Sequence, residues 1–294
     1  MRRLLLLVCA ATFLLKGENL VIPLWPNGAP GARTDLGPEA DVTTPKDNRP
    51  AGQAVIRLAN VVSPVMTVYR APEDKNTGAA ILVFPGGGYQ RLAYDLEGTE
   101  VCDWLNSIGV TAVLVKYRVP EAPGVPRFQA PLQDAQRALG ITRSHAQEWK
   151  IDPHRIGVLG FSAGGHLSAT LLQRYSERAY PRVDAADEVS CRPDFAVLVY
   201  PAYLSVEDKG QQIAPEVQPQ SSTSPLFIAQ AEDDHSFIQG TLLYYRALVA
   251  AKVPAELHVY ETGGHGYGLR PTSAPVTHWP RLAEAWLRLH HFIG

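Results

Sequence analysis

The chain has 294 residues, of which 46% are hydrophobic and 19% are charged, and its formal net charge at pH 7 is −2. A chain of this length and composition can bury a full hydrophobic core and lies within the size range of a single domain. The small net charge and the absence of Lys/Arg clusters exclude a strong electrostatic footprint for nucleic acid or an anionic membrane surface, so we expect neither as a partner.

The N-terminus has the pattern of a secretory leader. Arg2 and Arg3 precede an apolar run from Leu4 to Leu15, and a short basic segment before a short apolar one is typical of a signal peptide. The run is too short to span a bilayer as a stable anchor. We therefore interpret residues 1–20 as a leader, predict a secreted or periplasmic protein, and assign residues 21–294 to one catalytic domain.

Residues 21–60 are rich in Pro, Gly and Asp and lack sustained periodicity, which predicts an extended arm that wraps the domain. Two cysteines, Cys102 and Cys191, follow the leader. In an oxidising compartment they could pair, but two cysteines make no disulfide framework, and the amphipathic stretch around Cys102 favours a buried thiol.

Beyond residue 61, short apolar runs alternate with helical patterns around residues 101–108, 132–139 and 282–293. The predicted strands are 65–69, 80–84, 111–115, 155–159, 195–200, 226–230 and 257–260. Apolar strands separated by helices predict an α/β fold, with a mostly parallel central sheet and helices on both faces. In such sheets, functional residues lie at the carboxyl ends of the strands.

A serine motif follows one of these strands. The segment 160–164 reads Gly-Phe-Ser-Ala-Gly and is followed by an apolar helical run. In a Gly-x-Ser-x-Gly turn between a strand and a helix, the small flanking residues allow a sharp turn that presents the hydroxyl above the sheet edge. The motif predicts an α/β-hydrolase fold with Ser162 as nucleophile; a purely structural turn is the alternative.

A serine hydroxyl needs a base to take its proton, and the base in turn needs a carboxylate that orients it. His265 lies in the glycine-rich segment 263–268, after the last predicted strand, which suits a general base. Asp233 and Asp234 follow the strand 226–230. We favour Asp234, because Phe237 stands where such a loop would tuck under the sheet, and we keep Asp233 as the alternative, either as the acid or as a solvated loop charge.

Backbone N–H groups that stabilise an oxyanion are expected from the residue after the serine and from an early glycine loop. Ala163 meets the first requirement, and Gly87 and Gly88, in Pro-Gly-Gly-Gly-Tyr after the strand 80–84, meet the second. Tyr89 and Tyr267 flank the predicted site. Their rings could stack on a sugar, line an acyl pocket or simply pack in the interior.

Other polar residues are assigned structural roles. We expect His166, which opens the helix behind the serine, to pack or form a hydrogen bond, and Asp134 to form an ion pair or a cap. His290 and His291 adjoin each other, which is the wrong spacing for one helix face. The sequence contains no His-Glu-x-x-His motif and no cysteine–histidine grouping, so we predict no metal.

With these residues identified, the chain resembles α/β-hydrolase carbohydrate esterases, in particular acetylxylan esterase-like, xylanase-associated proteins. The similar stretches are residues 24–31, 85–89, 131–135, 160–166 and 263–268. The resemblance implies removal of short acyl groups, typically acetyl, from polysaccharides or small esters, without a cofactor. The chain departs from the family at residues 234–237, where a valine-rich segment ending in proline is expected, and the polar segment 202–224 shows no lipase-like lid.

Three alternatives remain open. A serine peptidase of the same fold would need a further domain or lid to select peptides. A general short-chain esterase or lipase would share the predicted residues but not the carbohydrate substrate. A non-catalytic binding protein of this fold would lack the serine, the acid or the histidine, and here a candidate exists for each.

Overall fold

The computed structural model describes residues 19–208 and 211–294, so the predicted leader lies outside the described residues except for its last two positions. The strands are β1 (Leu20–Pro23), β2 (Ala40–Asp41), β3 (Arg57–Ala59), β4 (Val65–Tyr69), β5 (Ala80–Phe84), β6 (Leu92–Ala93), β7 (Thr111–Lys116), β8 (Ile156–Phe161), β9 (Ala196–Val199), β10 (Leu226–Ala231) and β11 (Ala255–Tyr260). The α-helices are α1 (Glu100–Ser107), α2 (Gln129–Ser144), α3 (Ala163–Arg174), α4 (Ile238–Ala250) and α5 (Trp279–Leu289).

The main sheet contains eight strands in the order β1-β4-β7-β5-β8-β9-β10-β11. Neighbouring strands in the series β7-β5-β8-β9-β10-β11 are parallel. Strands β1 and β4 are antiparallel and form one edge of the sheet. Every residue of β5, β8, β9 and β10 is buried, as expected for strands covered on both faces. The prediction of a mostly parallel sheet within an α/β fold is confirmed.

Helices cover the sheet on both faces. Buried side chains of α2, α3 and α4 form one hydrophobic cluster, and those of α1 and α5 form the other. Cys191 belongs to the first cluster and Cys102 to the second, and both are free thiols. The buried-thiol interpretation of Cys102 is therefore confirmed, and the two cysteines do not pair.

Each predicted strand and helix is present, with ends that differ by up to a few residues. The sequence analysis does not predict α4, in which Gly240 and Thr241 are weak helix formers that obscure the pattern. No helix within residues 19–208 and 211–294 is both long and apolar enough to cross a membrane.

The arm is more ordered than an extended segment without secondary structure. Strand β1, which begins inside the predicted leader, pairs with the sheet edge at β4, while β2 and β3 form a small antiparallel sheet with β6. Buried Arg270 donates to the carbonyls of Gln53 and Ala54 and pairs with Asp95 and Glu100. These contacts fix the arm beside the carboxyl end of β5.

The prediction that Asp134 forms a structural ion pair is confirmed. Its fully buried carboxylate lies 2.9 Å from the Arg118 guanidinium, accepts the backbone N–H of Arg118 at 2.9 Å, and accepts the Trp25 indole N–H at 2.7 Å. Burial raises the pKa of Asp134, and the Arg118 charge opposes that shift. The network joins the arm, the end of β7 and α2.

Candidate active site

Ser162 occupies a strained turn between β8 and α3. Its backbone adopts φ 52° and ψ −116°, in a region that L-residues rarely populate. A Cβ at Gly160 would lie 2.0 Å from the carbonyl oxygen of Gly164, and one at Gly164 would lie 2.0 Å from that of Phe84. Glycine is therefore required on both sides of the serine, which explains the motif.

A continuous hydrogen-bonded chain joins the three predicted side chains. His265 Nε2 lies 2.8 Å from Ser162 Oγ, and His265 Nδ1 lies 2.7 Å from Asp234 Oδ2. The Asp234 side chain is only 4% exposed, whereas that of His265 is 32% exposed. The imidazole is thus oriented by a buried carboxylate and remains open to the cleft, an arrangement that can withdraw a proton from the hydroxyl.

The two neighbouring aspartates have different contacts. Asp234 binds the imidazole, whereas Asp233 accepts the backbone N–H groups of Gly264 at 2.7 Å and Gly263 at 3.2 Å. The geometry therefore places Asp234 at the histidine and Asp233 as a support of the histidine loop. Our reason for favouring Asp234 was wrong, because half-buried Phe237 lines the cleft beside His265 instead of tucking under the sheet.

The glycine loop after β5 reaches the same cleft as the serine. Gly87 and Gly88 adopt φ 132° and 66°, and a Cβ at Gly87 would lie 2.0 Å from the carbonyl oxygen of Arg91. Ala163 begins α3, where N–H groups lack helical acceptors. Among the turn and loop hydrogen bonds of the described residues, no backbone carbonyl accepts the N–H of Gly87, Gly88 or Ala163, as an oxyanion-binding role requires.

The cleft has a volume of about 500 Å³. It is lined by Asn48, Pro50, Val55, Arg57, Gly87, Gly88, Gln90, Arg91, Ala93, Leu96, Glu97, Ser162, Tyr203, Phe237, His265 and Gly266. A larger depression of about 720 Å³ lies along α2, α3 and residues 215–220 and contains none of the predicted site residues. We therefore locate the site by its chemistry and not by its size.

The structure places Tyr89 and Tyr267 in the interior and not in the cleft. Tyr89 is fully buried with its hydroxyl 2.8 Å from His166 Nδ1, and Tyr267 is 5% exposed and packs edge-on against Tyr200 with ring centroids 4.4 Å apart. Both are interior packing residues and neither lines the cleft. The aromatic residues that do are Tyr203 and Phe237, which the sequence analysis does not identify as site residues, although each follows the carboxyl end of a predicted strand.

The prediction that His166 packs and forms a hydrogen bond is confirmed. The side chain is fully buried between Tyr89 and Glu216. Its Nε2 lies 3.3 Å from Glu216 Oε1, close enough for an ion pair but outside hydrogen-bond geometry. Contact with His166 lowers the pKa of the Glu216 carboxyl. These contacts tie the helix behind the serine to the loop that carries Tyr89.

A second carboxylate lies at the site without having been predicted. Glu97 is 4% exposed and accepts hydrogen bonds from the Gly86 N–H at 2.6 Å and from the Tyr200 hydroxyl at 2.8 Å. Burial raises its pKa, and these two hydrogen bonds oppose that shift. A single acidic residue in a turn gives no sequence signal for such a position.

Comparison with known proteins identifies relatives that share this architecture. Residues 81–222 match the sequence profile of a family described as having the alpha/beta hydrolase fold. The chain is 29% identical over 221 residues to an acetylxylan esterase of Xylanibacter ruminicola, covering 67% of this chain and 42% of that protein. It is 30% identical over 226 residues to an ethyl acetate hydrolase of Pseudomonas putida, covering 68% and 70% respectively.

A solved structure of an ester hydrolase is similar to this chain over nearly its whole length. The acetyl ester-xyloside bifunctional hydrolase from Caldicellulosiruptor lactoaceticus aligns with a TM-score of 0.72 at 34% identity, over 94% of this chain and 97% of that one. The chain spans about two fifths of the length of the acetylxylan esterase that it matches. Its sheet order, serine turn and relatives together establish that the chain belongs to the α/β-hydrolase family.

Proposed function

We propose that the chain is a serine carboxylic-ester hydrolase that removes short acyl groups, principally acetyl, from carbohydrate such as acetylated xylan. The observation that carries the proposal is the hydrogen-bonded chain from Ser162 through His265 to Asp234. The same cleft is lined by Gly87 and Gly88, whose N–H groups are accepted by no backbone carbonyl among the described loop hydrogen bonds. Nucleophile, base, orienting acid and oxyanion donors are the set that acyl transfer requires.

In the proposed mechanism, Ser162 Oγ attacks the ester carbonyl carbon while His265 Nε2 takes the hydroxyl proton. Asp234 holds the imidazole and stabilises its protonated form, and the N–H groups of Ala163 and the Gly87–Gly88 loop stabilise the oxyanion. The alcohol leaves with the proton from His265, and an acyl-enzyme forms. Water, activated by the same histidine, then releases the carboxylic acid and regenerates the serine.

The composition of the cleft wall supports a polar alcohol. Asn48 and Arg57 of the arm and Gln90 and Arg91 beyond the glycine loop line the cleft, and their side chains carry amide and guanidinium donors. Such donors suit an alcohol that carries several hydroxyl groups. An acetylxylan esterase and an acetyl ester-xyloside hydrolase are among the relatives described above, which supports acetyl as the acyl group.

Hydrolysis of a p-nitrophenyl acyl series and of acetylated xylan by the purified protein tests the proposal. We expect the highest kcat/KM for the acetate ester and release of acetate from the polysaccharide. Preference for long acyl chains would retain the mechanism but refute the substrate, and cleavage of peptide amides instead of esters would favour a peptidase. If neither esters nor amides react, the enzymatic proposal is wrong.

Replacing Arg91 with glutamine tests the polar wall. The Arg91 side chain is 39% exposed and gives one nitrogen to Asp47 at 3.0 Å, and other donors of the guanidinium can reach an alcohol in the cleft. Loss of a charge-assisted hydrogen bond of roughly 1.4 kcal/mol corresponds to about a tenfold effect. We therefore expect KM for an acetylated xylo-oligosaccharide to rise about tenfold, with kcat/KM for p-nitrophenyl acetate within about twofold.

Arg288→Gln is the matched control, because Arg288 lies on α5 and pairs only with Glu284 and the terminal residue among the described contacts. This variant should behave like wild type on both substrates. An equal loss on both substrates in Arg91→Gln would show that the residue supports the glycine loop and does not contact the alcohol.

A further inference from the structure

A buried carboxylate lies between the two loops that flank Ser162. Glu97 is 4% exposed and belongs to a single π-helical turn, Asp95–Thr99, immediately before α1. Such turns are rare and often occur at functional sites. Each carboxylate oxygen accepts a hydrogen bond from a different loop, and the mechanism described above assigns Glu97 no role.

One oxygen of Glu97 holds the glycine loop against the nucleophile. Oε2 accepts the Gly86 N–H at 2.6 Å. A Cβ at Gly86 would lie 2.7 Å from that oxygen and 2.8 Å from Ser162 Cβ, so the Gly86 backbone fills the space between the carboxylate and the serine. Gly87 and Gly88 follow directly, and the direction of their N–H groups depends on where Gly86 is held.

The other oxygen reaches the histidine loop through a tyrosine. Oε1 accepts the Tyr200 hydroxyl at 2.8 Å, and that hydroxyl accepts the Gly268 N–H at 3.0 Å. The Tyr200 ring also packs against the His265 ring, with centroids 5.0 Å apart. Tyr200 itself follows β9 in a left-handed conformation with φ 37°. Its hydroxyl is therefore fixed between Glu97 and the loop that carries the general base.

We propose that Glu97 is a positioning residue that holds the oxyanion loop, through Gly86, and the histidine loop, through Tyr200, in fixed relation to Ser162. The inference rests on the proposed ester hydrolysis and deepens it. A displacement of about 1 Å in catalytic geometry can reduce the rate about a hundredfold, so loss of this connection should lower kcat more than it changes substrate binding.

Both oxygens accept hydrogen bonds in this arrangement, which is that of the ionised carboxylate. The charged or titratable groups around Glu97 are Arg57 and His265, whose charges lower its pKa, and the phenols of Tyr200 and Tyr117. Burial outweighs these effects and raises the pKa of Glu97. Folding therefore favours its protonated form, and the stability that this contributes is lost as the pH rises through the raised pKa.

Because ionisation of buried Glu97 lowers stability, a test can separate a positioning role from a purely structural one. In Glu97→Gln, a neutral side chain of the same shape replaces the buried charge, so thermal stability at pH 8 should stay the same or rise. The amide oxygen can keep the Gly86 N–H, but an amide nitrogen then faces the Tyr200 hydroxyl, which already accepts the Gly268 N–H and loses the acceptor of its own proton. We expect kcat for p-nitrophenyl acetate to fall at least about tenfold, with KM within about threefold and Tm no lower than wild type.

Tyr200→Phe and the double variant complete the experiment. Tyr200→Phe removes the same hydrogen bond between Tyr200 and Glu97 and keeps the ring against His265, so its kcat should fall to a similar extent as that of Glu97→Gln. The double variant should resemble Glu97→Gln alone, since Tyr200 acts through the same carboxylate. Tyr260→Phe is the matched control, because the buried Tyr260 hydroxyl has no hydrogen-bond partner within the described residues, and it should match wild type.

The rate at which a fluorophosphonate labels Ser162 keeps the test independent of the substrate. If wild type is labelled but hydrolyses no acetate ester, the proposed substrate is wrong, while a labelling rate reduced at least about tenfold in Glu97→Gln still supports the positioning role. Unchanged kcat and labelling in Glu97→Gln would overturn the inference. So would an additive double variant, or a loss of rate accompanied by a fall in Tm.

Discussion

Replacing Ser162 with alanine is expected to lower kcat for p-nitrophenyl acetate by about four to six orders of magnitude. Without Oγ no acyl-enzyme can form, and the imidazole of His265, 2.8 Å from Oγ in the native site, has no nucleophile to deprotonate. Residues of such a constellation act as a unit, so loss of the nucleophile removes nearly all of their joint contribution. Steady-state hydrolysis and burst-phase release of p-nitrophenol measure the effect.

The substitution should leave the fold intact. Alanine keeps the Cβ of Ser162 and bears the same strain at φ 52°, and the substitution removes the hydrogen bond between the hydroxyl and His265. A near-native melting temperature is therefore expected. Ser144→Ala, at an exposed position near the end of α2, is the control and should retain full activity. A Ser162→Ala protein that keeps more than about a tenth of the activity would place the nucleophile elsewhere.

The sequence predicts those parts of the site whose signals are local. Ser162 lies within five residues that contain both glycines needed by its turn, and the strand before it and the helix after it are clear apolar patterns. His265 and Asp234 each follow a predicted strand. Because parallel strands end at one edge of the sheet, the fold itself brings these three residues together.

The remaining parts of the site depend on contacts between distant segments. Glu97 and Tyr200 are 103 positions apart, and only their packing reveals the carboxylate that connects the loops. The neighbours of Tyr89 in the sequence are compatible with a role in the cleft or in the interior, and only the hydrogen bond to His166, 77 positions away, shows that its hydroxyl lies in the interior. The arm residues that line the cleft also depend on a distant contact, since Arg57 reaches the cleft only because β3 pairs with β6. Local sequence patterns contain no information on such pairings.

Asparagine in place of Asp234 is expected to lower kcat about ten-thousandfold. The Asp234 carboxylate accepts from His265 Nδ1 at 2.7 Å and so keeps Nε2 free to take the Ser162 proton. An asparagine that turns its amide nitrogen toward Nδ1 stabilises the opposite tautomer, and changes of this kind in serine triads reduce kcat by about 10⁴. The comparison of kcat for p-nitrophenyl acetate in Asp234→Asn and wild type measures the effect.

Asp233→Asn is the matched variant, because it makes the same chemical change one residue away. Asp233 accepts the N–H groups of Gly264 and Gly263, and an asparagine oxygen can still accept the shorter of these hydrogen bonds. The histidine loop should therefore loosen only slightly, with a loss in kcat below about tenfold. If Asp233→Asn were instead as inactive as Asp234→Asn, the orientation of His265 would depend on the whole loop, and Asp234 could not be assigned the orienting role on its own.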